Sequence, residues 1–275
     1  LASVATRPQQ HRTTTAMVQP LHGLGVAWYG SVDGSHCAAS RLNIEIHKQH
    51  TTAMGHLYLV RHGQASLGAA DYDQLSALGT QQSQRLGEHW RAQGVTFDAV
   101  ITGTMKRHAQ TLAGIQHSMG TQHTALMWPG LNEYDAEAVI RAIRPGELVK
   151  PTSPDGYKQY FRLLRDGLAQ WMAGVISPHG MPTYTEFAKG VTSALDHIRQ
   201  HHDGHVLLVS SGGPIATAVA HVLRTSPETS IELNMRLRNS SVTELSFNPK
   251  RHSLLSFNSL PHLETSSHKD WITFA

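Results

Sequence analysis

The chain has 275 residues, of which 40% are hydrophobic, and its formal net charge at pH 7 is +3. This apolar content can build a sizeable core, whereas the charge is too small to indicate a nucleic-acid-binding protein. No apolar run approaches the roughly 18 residues of a membrane span, and the single cysteine, Cys37, excludes an internal disulfide framework and fits the reducing cytoplasm.

Residues 1–53 differ in composition from the rest of the chain. They are rich in Thr and Gln, as in QQHRTTT and HKQHTT, and show no sustained helical or strand period. We therefore predict a disordered or non-native N-terminal extension over 1–53. One folded domain is predicted to begin at Met54 and to span 54–275.

The first half of this domain alternates strand and helix patterns. The stretch HLYLV (56–60) is typical of a buried strand and ends in Arg-His-Gly. An amphipathic helix follows, with Ser76 as its predicted N-cap. A second strand, DAVIT (98–102), precedes a helix over 105–120 that is expected to end at Gly120.

The second half contains an interruption of this alternation. The motif LNEYD (131–135) opens an aromatic-rich stretch, and residues 136–182 are predicted to form a helical insertion. After an amphipathic helix, the strand HVLLVS (205–210) runs into a Gly-rich turn and another helix. Two strands, over 241–247 and 253–258, are predicted to close the domain.

Strands separated by helices predict an α/β fold with a mainly parallel central sheet, helices on both faces and the helical insertion over the active site. In such sheets, ligands bind beyond the carboxyl ends of the strands. The pairs Arg61-His62 and Ser211-Gly212 both follow strand ends, so we expect them to meet.

Several residues near these strand ends are suited to phosphoryl transfer, which needs donors for the phosphate oxygens, a proton donor and, in a covalent mechanism, a nucleophile. His62 is the candidate nucleophile, because a neutral imidazole nitrogen attacks phosphorus well. Arg61 and Arg107 can each place a fork of donors on the phosphate, and Gly63 lets backbone N–H groups approach. Glu133 is the candidate acid and base. Each residue alone is a weak signal, and the hypothesis depends on their order and spacing.

Five stretches in this order resemble the histidine phosphatase superfamily, which includes the phosphoglycerate mutases: YLVRHGQA, LSALGTQQSQRLGEHW, ITGTMKRHAQT, LNE and VLLVSSGGPIA. The resemblance covers essentially all of 54–275. It implies an enzyme that acts on a small phosphorylated substrate without a metal or organic cofactor. It also implies that His62 is transiently phosphorylated, that Arg61 and Arg107 bind phosphate, and that Glu133 is the acid and base.

Two positions depart from the family pattern. The family usually has a second histidine before the Gly-Gly of its last strand–helix turn, where this chain has Ser211. A serine donates one hydrogen bond but carries no positive charge, although N–H groups at the start of the helix, around Gly212, can offset part of the loss. Many relatives also carry an Asn six residues after the nucleophile, where this chain has Gly68, so one phosphate contact is expected to be absent.

His108 follows Arg107 directly and is predicted not to replace the missing histidine, because adjacent side chains on a helix point about 100° apart. The insertion 136–182 is expected to decide the substrate, which the sequence does not identify. Its aromatic residues can line a pocket, yet ordinary helix packing is the preferred interpretation for Leu168 and Trp171.

These departures favour a phosphatase over a mutase. Mutase chemistry needs a phosphoenzyme that survives long enough to return its phosphate, whereas hydrolysis tolerates a thinner phosphate pocket. We therefore predict a metal-independent phosphatase that acts through a phosphohistidine on His62. The alternatives are mutase-type phosphoryl transfer and a catalytically weak pseudoenzyme that binds phosphorylated ligands. The oligomeric state does not follow from the sequence.

Overall fold

The computed structural model describes residues 54–66, 73–146 and 151–274. The predicted extension over 1–53 and the departure at Gly68 lie outside these ranges, so both stay predictions.

Within the described ranges, six strands form one sheet. They are β1 (Gly55–Arg61), β2 (Ala99–Thr102), β3 (Leu126–Met127), β4 (His205–Ser210), β5 (Val242–Asn248) and β6 (Arg251–Ser259). The spatial order is β3-β2-β4-β1-β5-β6. The pairs β3–β2, β2–β4 and β4–β1 are parallel, whereas β5 runs antiparallel to β1 and β6 antiparallel to β5. The predicted mainly parallel α/β fold is confirmed.

Seven α-helices accompany the sheet in the described ranges. They are α1 (Ala77–Ala92), α2 (Lys106–Met119), α3 (Ala136–Ile143), α4 (Pro154–Met172), α5 (Tyr184–His201), α6 (Gly212–Leu223) and α7 (Pro227–Arg236). Short 3-10 helices span Pro129–Leu131 and Ser266–Trp271.

The local signals for the first two helices are confirmed. The Ser76 hydroxyl accepts the backbone N–H of Gly79 at 3.0 Å, so α1 begins directly after its predicted cap. Gly120 caps the C-terminus of α2 as predicted, and its φ of 71° lies in the left-handed region that glycine adopts without strain.

Alternation along the strands places helices on both faces of the sheet. On β4, Val206 and Leu208 belong to a core cluster with α4, α5 and α6, whereas Leu207 and Val209 belong to a cluster with α1 and α2. Successive side chains of a strand point to opposite faces, so a strand that is buried on both sides is apolar throughout.

The predicted insertion contains α3 and α4. Leu168 and Trp171 of α4 are each 1% exposed, which confirms that they are packing residues. Together with Gly213 and Asn234, they line a small cavity beside the first turn of α6. The insertion therefore packs next to the edge of the sheet where β4 ends. No helix in the described part of the chain is long and apolar enough to cross a membrane.

Candidate active site

The register of the two central strands brings the predicted site residues together. Arg61, the last residue of β1, pairs with Ser210, the last residue of β4. The backbone N–H of His62 then donates to the carbonyl of Ser210 at 2.9 Å. His62 and Ser211, the next residues of the two strands, consequently lie side by side at the carboxyl edge of the sheet.

The tautomer of His62 follows from its hydrogen bonds. Its Nδ1 lies 2.7 Å from the carbonyl oxygen of Gly63, which can only accept, so Nδ1 carries the proton. The lone pair of a neutral imidazole is then on Nε2. Burial, followed by the charges of Arg61 and Arg107, holds the pKa of His62 well below its ordinary value of 6.5. His62 is therefore a neutral ring whose lone pair lies on Nε2.

Arg107 is held between His62 and a carboxylate. Its Nε–H donates to Nε2 of His62 at 3.2 Å, and its Nη1 donates to Oδ1 of Asp73 at 2.8 Å. The other oxygen of Asp73 accepts the backbone N–H of Lys106 at 2.9 Å, at the start of α2. Asp73 thus fixes both the helix and the guanidinium. Sequence reasoning missed this residue.

Arg61 and the carbonyl of His62 are held by the segment before β5. A guanidinium nitrogen of Arg61 donates to the carbonyl of Leu237. The carbonyl of His62 accepts from the backbone N–H of Ser240 at 3.2 Å and from the side-chain amide of Asn239 at 3.4 Å. This support spans most of the chain in sequence, so no local pattern could have revealed it.

Glu133 faces the start of α6. Its two carboxylate oxygens lie 3.1 and 3.2 Å from the backbone nitrogen of Gly213, which donates to them. A Cβ atom at Gly213 would lie 2.2 Å from Oε1 of Glu133, so glycine is required for this approach. Burial raises the pKa of Glu133, although the Gly213 bond and the charges of Arg107 and Arg61 oppose the shift. A raised pKa keeps a larger fraction of the acid form near neutral pH, which suits a proton donor.

The predicted role of Gly63 needs correction. Its N–H donates to Oγ1 of Thr111 at 3.1 Å and therefore has a protein partner in this structure. A Cβ at Gly63 would lie 2.3 Å from the carbonyl oxygen of Gly79, and a Cβ at Gly79 would lie 2.1 Å from the carbonyl oxygen of Gln64. Glycine is needed here because the backbone after β1 and the first turn of α1 touch.

The side chain of His108 points to Ser211, which the angle between helix neighbours did not predict; whether His108 replaces the missing histidine stays untested. Its Nε2 lies 2.7 Å from Oγ of Ser211, and its ring centroid lies 5.9 Å from that of His62. The 100° difference between neighbours does hold, but Arg107 and His108 both lie in the first turn of α2, next to the edge of the sheet. From there one side chain reaches His62 and the other reaches Ser211.

The described residues thus include all six candidate site residues, and these lie at one edge of the sheet. Arg61, His62, Arg107 and Ser211 are at most 6% exposed. Glu133 and the backbone of Gly212 close the same space: a Cβ at Gly212 would lie 3.7 Å both from Nε of Arg61 and from Oε2 of Glu133. Two guanidinium groups and a neutral imidazole nitrogen beside a carboxyl group are chemically suited to bind an oxyanion. The described residues include no group of three or more His, Cys, Asp or Glu side chains that could hold a metal ion.

Comparison with known proteins agrees with this geometry. A family model described as the histidine phosphatase superfamily (branch 1) matches residues 57–260. A protein of Hydrogenobacter thermophilus, provisionally named phosphoserine phosphatase 2, is 26% identical over 222 residues, which covers 76% of this chain and 98% of that protein.

Solved structures share the fold at lower identity. Phosphoserine phosphatase from Entamoeba histolytica in complex with 3-phosphoglyceric acid has a TM-score of 0.54 and 21% identity, with coverage of 76% of this chain and 99% of that chain. A phosphoglycerate mutase from Bacillus anthracis has a TM-score of 0.54 and 17% identity, with coverage of 77% and 96%. A phosphatase and a mutase therefore match the fold equally well, and the fold does not distinguish the two activities.

Proposed function

The chain belongs to the histidine phosphatase superfamily, and we propose that it hydrolyses a small phosphomonoester through a phosphohistidine on His62. The observation that carries the proposal is the hydrogen bond from Nδ1 of His62 to the carbonyl of Gly63 at 2.7 Å. This bond leaves Nε2 unprotonated, and the lowered pKa of His62 keeps it so near neutral pH.

In the first half-reaction, Nε2 of His62 attacks phosphorus in line with the ester oxygen. An N–P bond forms, the P–O ester bond breaks, and the carboxylic acid of Glu133 gives its proton to the leaving oxygen. Arg61 and Arg107 bind the equatorial phosphate oxygens, where negative charge is concentrated in the transition state.

In the second half-reaction, water replaces the alcohol. The carboxylate of Glu133 takes a proton from the water as its oxygen attacks phosphorus. The N–P bond breaks, its electron pair returns to Nε2 of His62, and inorganic phosphate leaves. Each group is then in its starting protonation state.

The first substrates to try are small phosphorylated acids, because the matched Entamoeba structure contains 3-phosphoglyceric acid. Release of phosphate in the presence of EDTA, which removes metal ions, would support a metal-independent phosphatase if the His62→Ala variant releases none. An acid-labile, base-stable phosphate on His62 is the expected intermediate. Turnover that survives in His62→Ala rules out the covalent mechanism.

Assays of these phosphorylated acids also distinguish the two alternative functions. Interconversion of phosphoglycerates would identify a mutase. Saturable binding of phosphate esters, with no release from any of them, would identify a binding protein.

A further inference from the structure

His108 and Ser211 form a buried hydrogen-bonded pair across the site. Their Nε2 and Oγ atoms are 2.7 Å apart, although the residues are separated by 103 positions in the chain. Both residues have a relative exposure of 0%. A buried polar pair of this kind beside a nucleophile is costly unless both partners are oriented and satisfied.

The surroundings of the ring indicate the direction of this hydrogen bond. Among the described residues, Nδ1 of His108 has no hydrogen-bond partner. It packs against Gly103, where a Cβ would lie 2.3 Å from Nδ1. A proton on Nδ1 would be a buried, unpaired donor, which is rarer in proteins than an unpaired acceptor. The proton therefore lies on Nε2 and is donated to Oγ of Ser211.

This direction leaves the hydroxyl proton of Ser211 for another acceptor. Ser211 is the N-cap residue of α6, a position where serine normally accepts a backbone N–H, yet its side chain makes no such bond. The hydroxyl is turned to His108 instead, at the strand end next to His62. Among the described residues Ser211 Oγ bonds to His108 alone, and an oxygen atom of a phosphate on His62 would supply an acceptor for this proton.

The charges that face His108 favour its neutral form. Arg107 on its own helix and His62 at the end of β1 face it, and Ser211 is uncharged. Burial, and next the charge of Arg107, lower the pKa of His108 to about 3. A neutral ring with one N–H can orient a hydroxyl group without adding a charge.

On the premise of the proposed phosphatase, we propose that Ser211 donates its hydroxyl proton to a phosphate oxygen and that His108 is the positioning residue that aims this hydroxyl. The usual second histidine of the family is absent at position 211, and an imidazole from α2 supports the serine that replaces it. The hydrogen-bonded pair depends on three residues of this chain: His108, Ser211 and Gly103, whose missing side chain leaves room for the imidazole ring.

The test compares variants that keep or remove the donor on the ring. His108→Gln keeps a side-chain N–H near the position of Nε2, whereas His108→Leu removes it at similar volume. Loss of one transition-state donor costs roughly 10²–10³-fold in kcat. We expect Ser211→Ala to lose roughly 10²-fold in kcat/KM, and His108→Leu roughly 10- to 10²-fold. His108→Gln should recover most of the loss, and exposed His117→Leu on the same helix should change nothing.

The double variant His108→Leu/Ser211→Ala gives the decisive comparison. If the two residues act as a unit, it should be no worse than Ser211→Ala. Losses that multiply in the double variant overturn the proposal, as does a His108→Gln variant that is as poor as His108→Leu. Full activity in a folded His108→Leu variant would also overturn the proposal. Thermal melts show whether each variant is folded.

A readout without turnover separates this proposal from the phosphatase itself. Vanadate and inorganic phosphate should bind at least about tenfold more weakly to His108→Leu and Ser211→Ala than to the unchanged chain, in line with the loss of one donor. If the protein hydrolyses no substrate but the variants show this loss of affinity, the role proposed for His108 and Ser211 is supported and the proposed phosphatase activity is rejected. Unchanged affinities would reject the pair alone, and a chain that binds neither anion would reject both.

Discussion

Arg107 donates its Nε–H to Nε2 of His62 at 3.2 Å. This hydrogen bond occupies the lone pair that attacks phosphorus in the proposed mechanism. An entering phosphate has to exchange this bond for bonds between the guanidinium and its own oxygens. The ion pair with Asp73 holds the other edge of Arg107 at 2.8 Å. Arg107 can then turn from the imidazole to the phosphate without leaving the site.

The first prediction concerns this ion pair. Asp73→Asn keeps an oxygen that can cap α2 at Lys106 but removes the negative charge beside Arg107. We expect kcat/KM to fall roughly tenfold, which corresponds to about 1.4 kcal/mol, because Arg107 loses its fixed orientation. Steady-state kinetics with the best phosphomonoester measure the loss, and exposed Asp203→Asn is the control. Unchanged kinetics in Asp73→Asn would show that Arg107 is oriented without its help.

The second prediction concerns proton donation by Glu133. Glu133→Gln keeps the hydrogen bond from Gly213 and removes the acid. An alkyl phosphate needs a proton on its leaving oxygen, whereas p-nitrophenolate leaves without one. We therefore expect a loss of roughly 10²–10⁴-fold with an alkyl phosphate and a much smaller loss in the first half-reaction with p-nitrophenyl phosphate. Burst kinetics isolate that half-reaction. Equal losses on both substrates would mean that Glu133 is not the acid.

The third prediction concerns the effect of placing a histidine at position 211, where the family usually has one. Ser211→His alone should lose activity and stability, because the new ring meets His108, whose Nε2 lies 2.7 Å from the present hydroxyl oxygen. His108→Ala/Ser211→His opens the space and should recover activity above that of His108→Ala. Melting temperatures and kcat/KM of the three variants test this, and a double variant that is poorer than both singles would contradict it.

The fourth prediction concerns acid stability. His262 is 1% exposed and lies 2.9 Å from the hydroxyl of Ser240. Burial lowers its pKa from 6.5 to about 3. Between these values the unfolded chain binds a proton that the folded chain does not. The free energy of unfolding therefore falls with falling pH, by up to about 1.4 kcal/mol per pH unit for this group.

His262→Gln removes this titration and should flatten the decline of the unfolding free energy below pH 6.5. Denaturant melts between pH 7 and 4.5 measure the slope, and exposed His117→Gln is the matched control. An identical slope in His262→Gln and the unchanged chain would assign the acid sensitivity to other groups.

The strand-end residues could be predicted because their signals are local. One buried apolar run ends in Arg61-His62 and another ends at Ser211. Both strand ends therefore lie at the same edge of a parallel sheet, independently of the conformation of the loops. Arg107 and Glu133 follow from motif order. The role of each residue stays a prediction until the variants are measured.

Other contacts could not be predicted, because they depend on chain segments that meet only in the fold. Asp73 has no distinctive neighbours in sequence, and Leu237 bonds Arg61 across 176 positions. The contact of His108 with Ser211 could not be predicted, because helix geometry gives angles between neighbours but not where the helix starts relative to the sheet. Helix α7 was overlooked although Ser226 and Pro227 carry an N-cap and N1 signature.

The pairing of Arg61 with Leu237, across 176 positions, and of His108 with Ser211, across 103, also bears on how the chain folds. Closing long loops costs conformational entropy before the contacts form, so such contacts tend to form slowly. No partly folded chain that lacks the β1–β4 pairing can bring His62 next to Ser211. During refolding, recovery of vanadate binding should therefore lag behind recovery of helical circular dichroism. The amount of vanadate bound would then count only the molecules that have reached the native state.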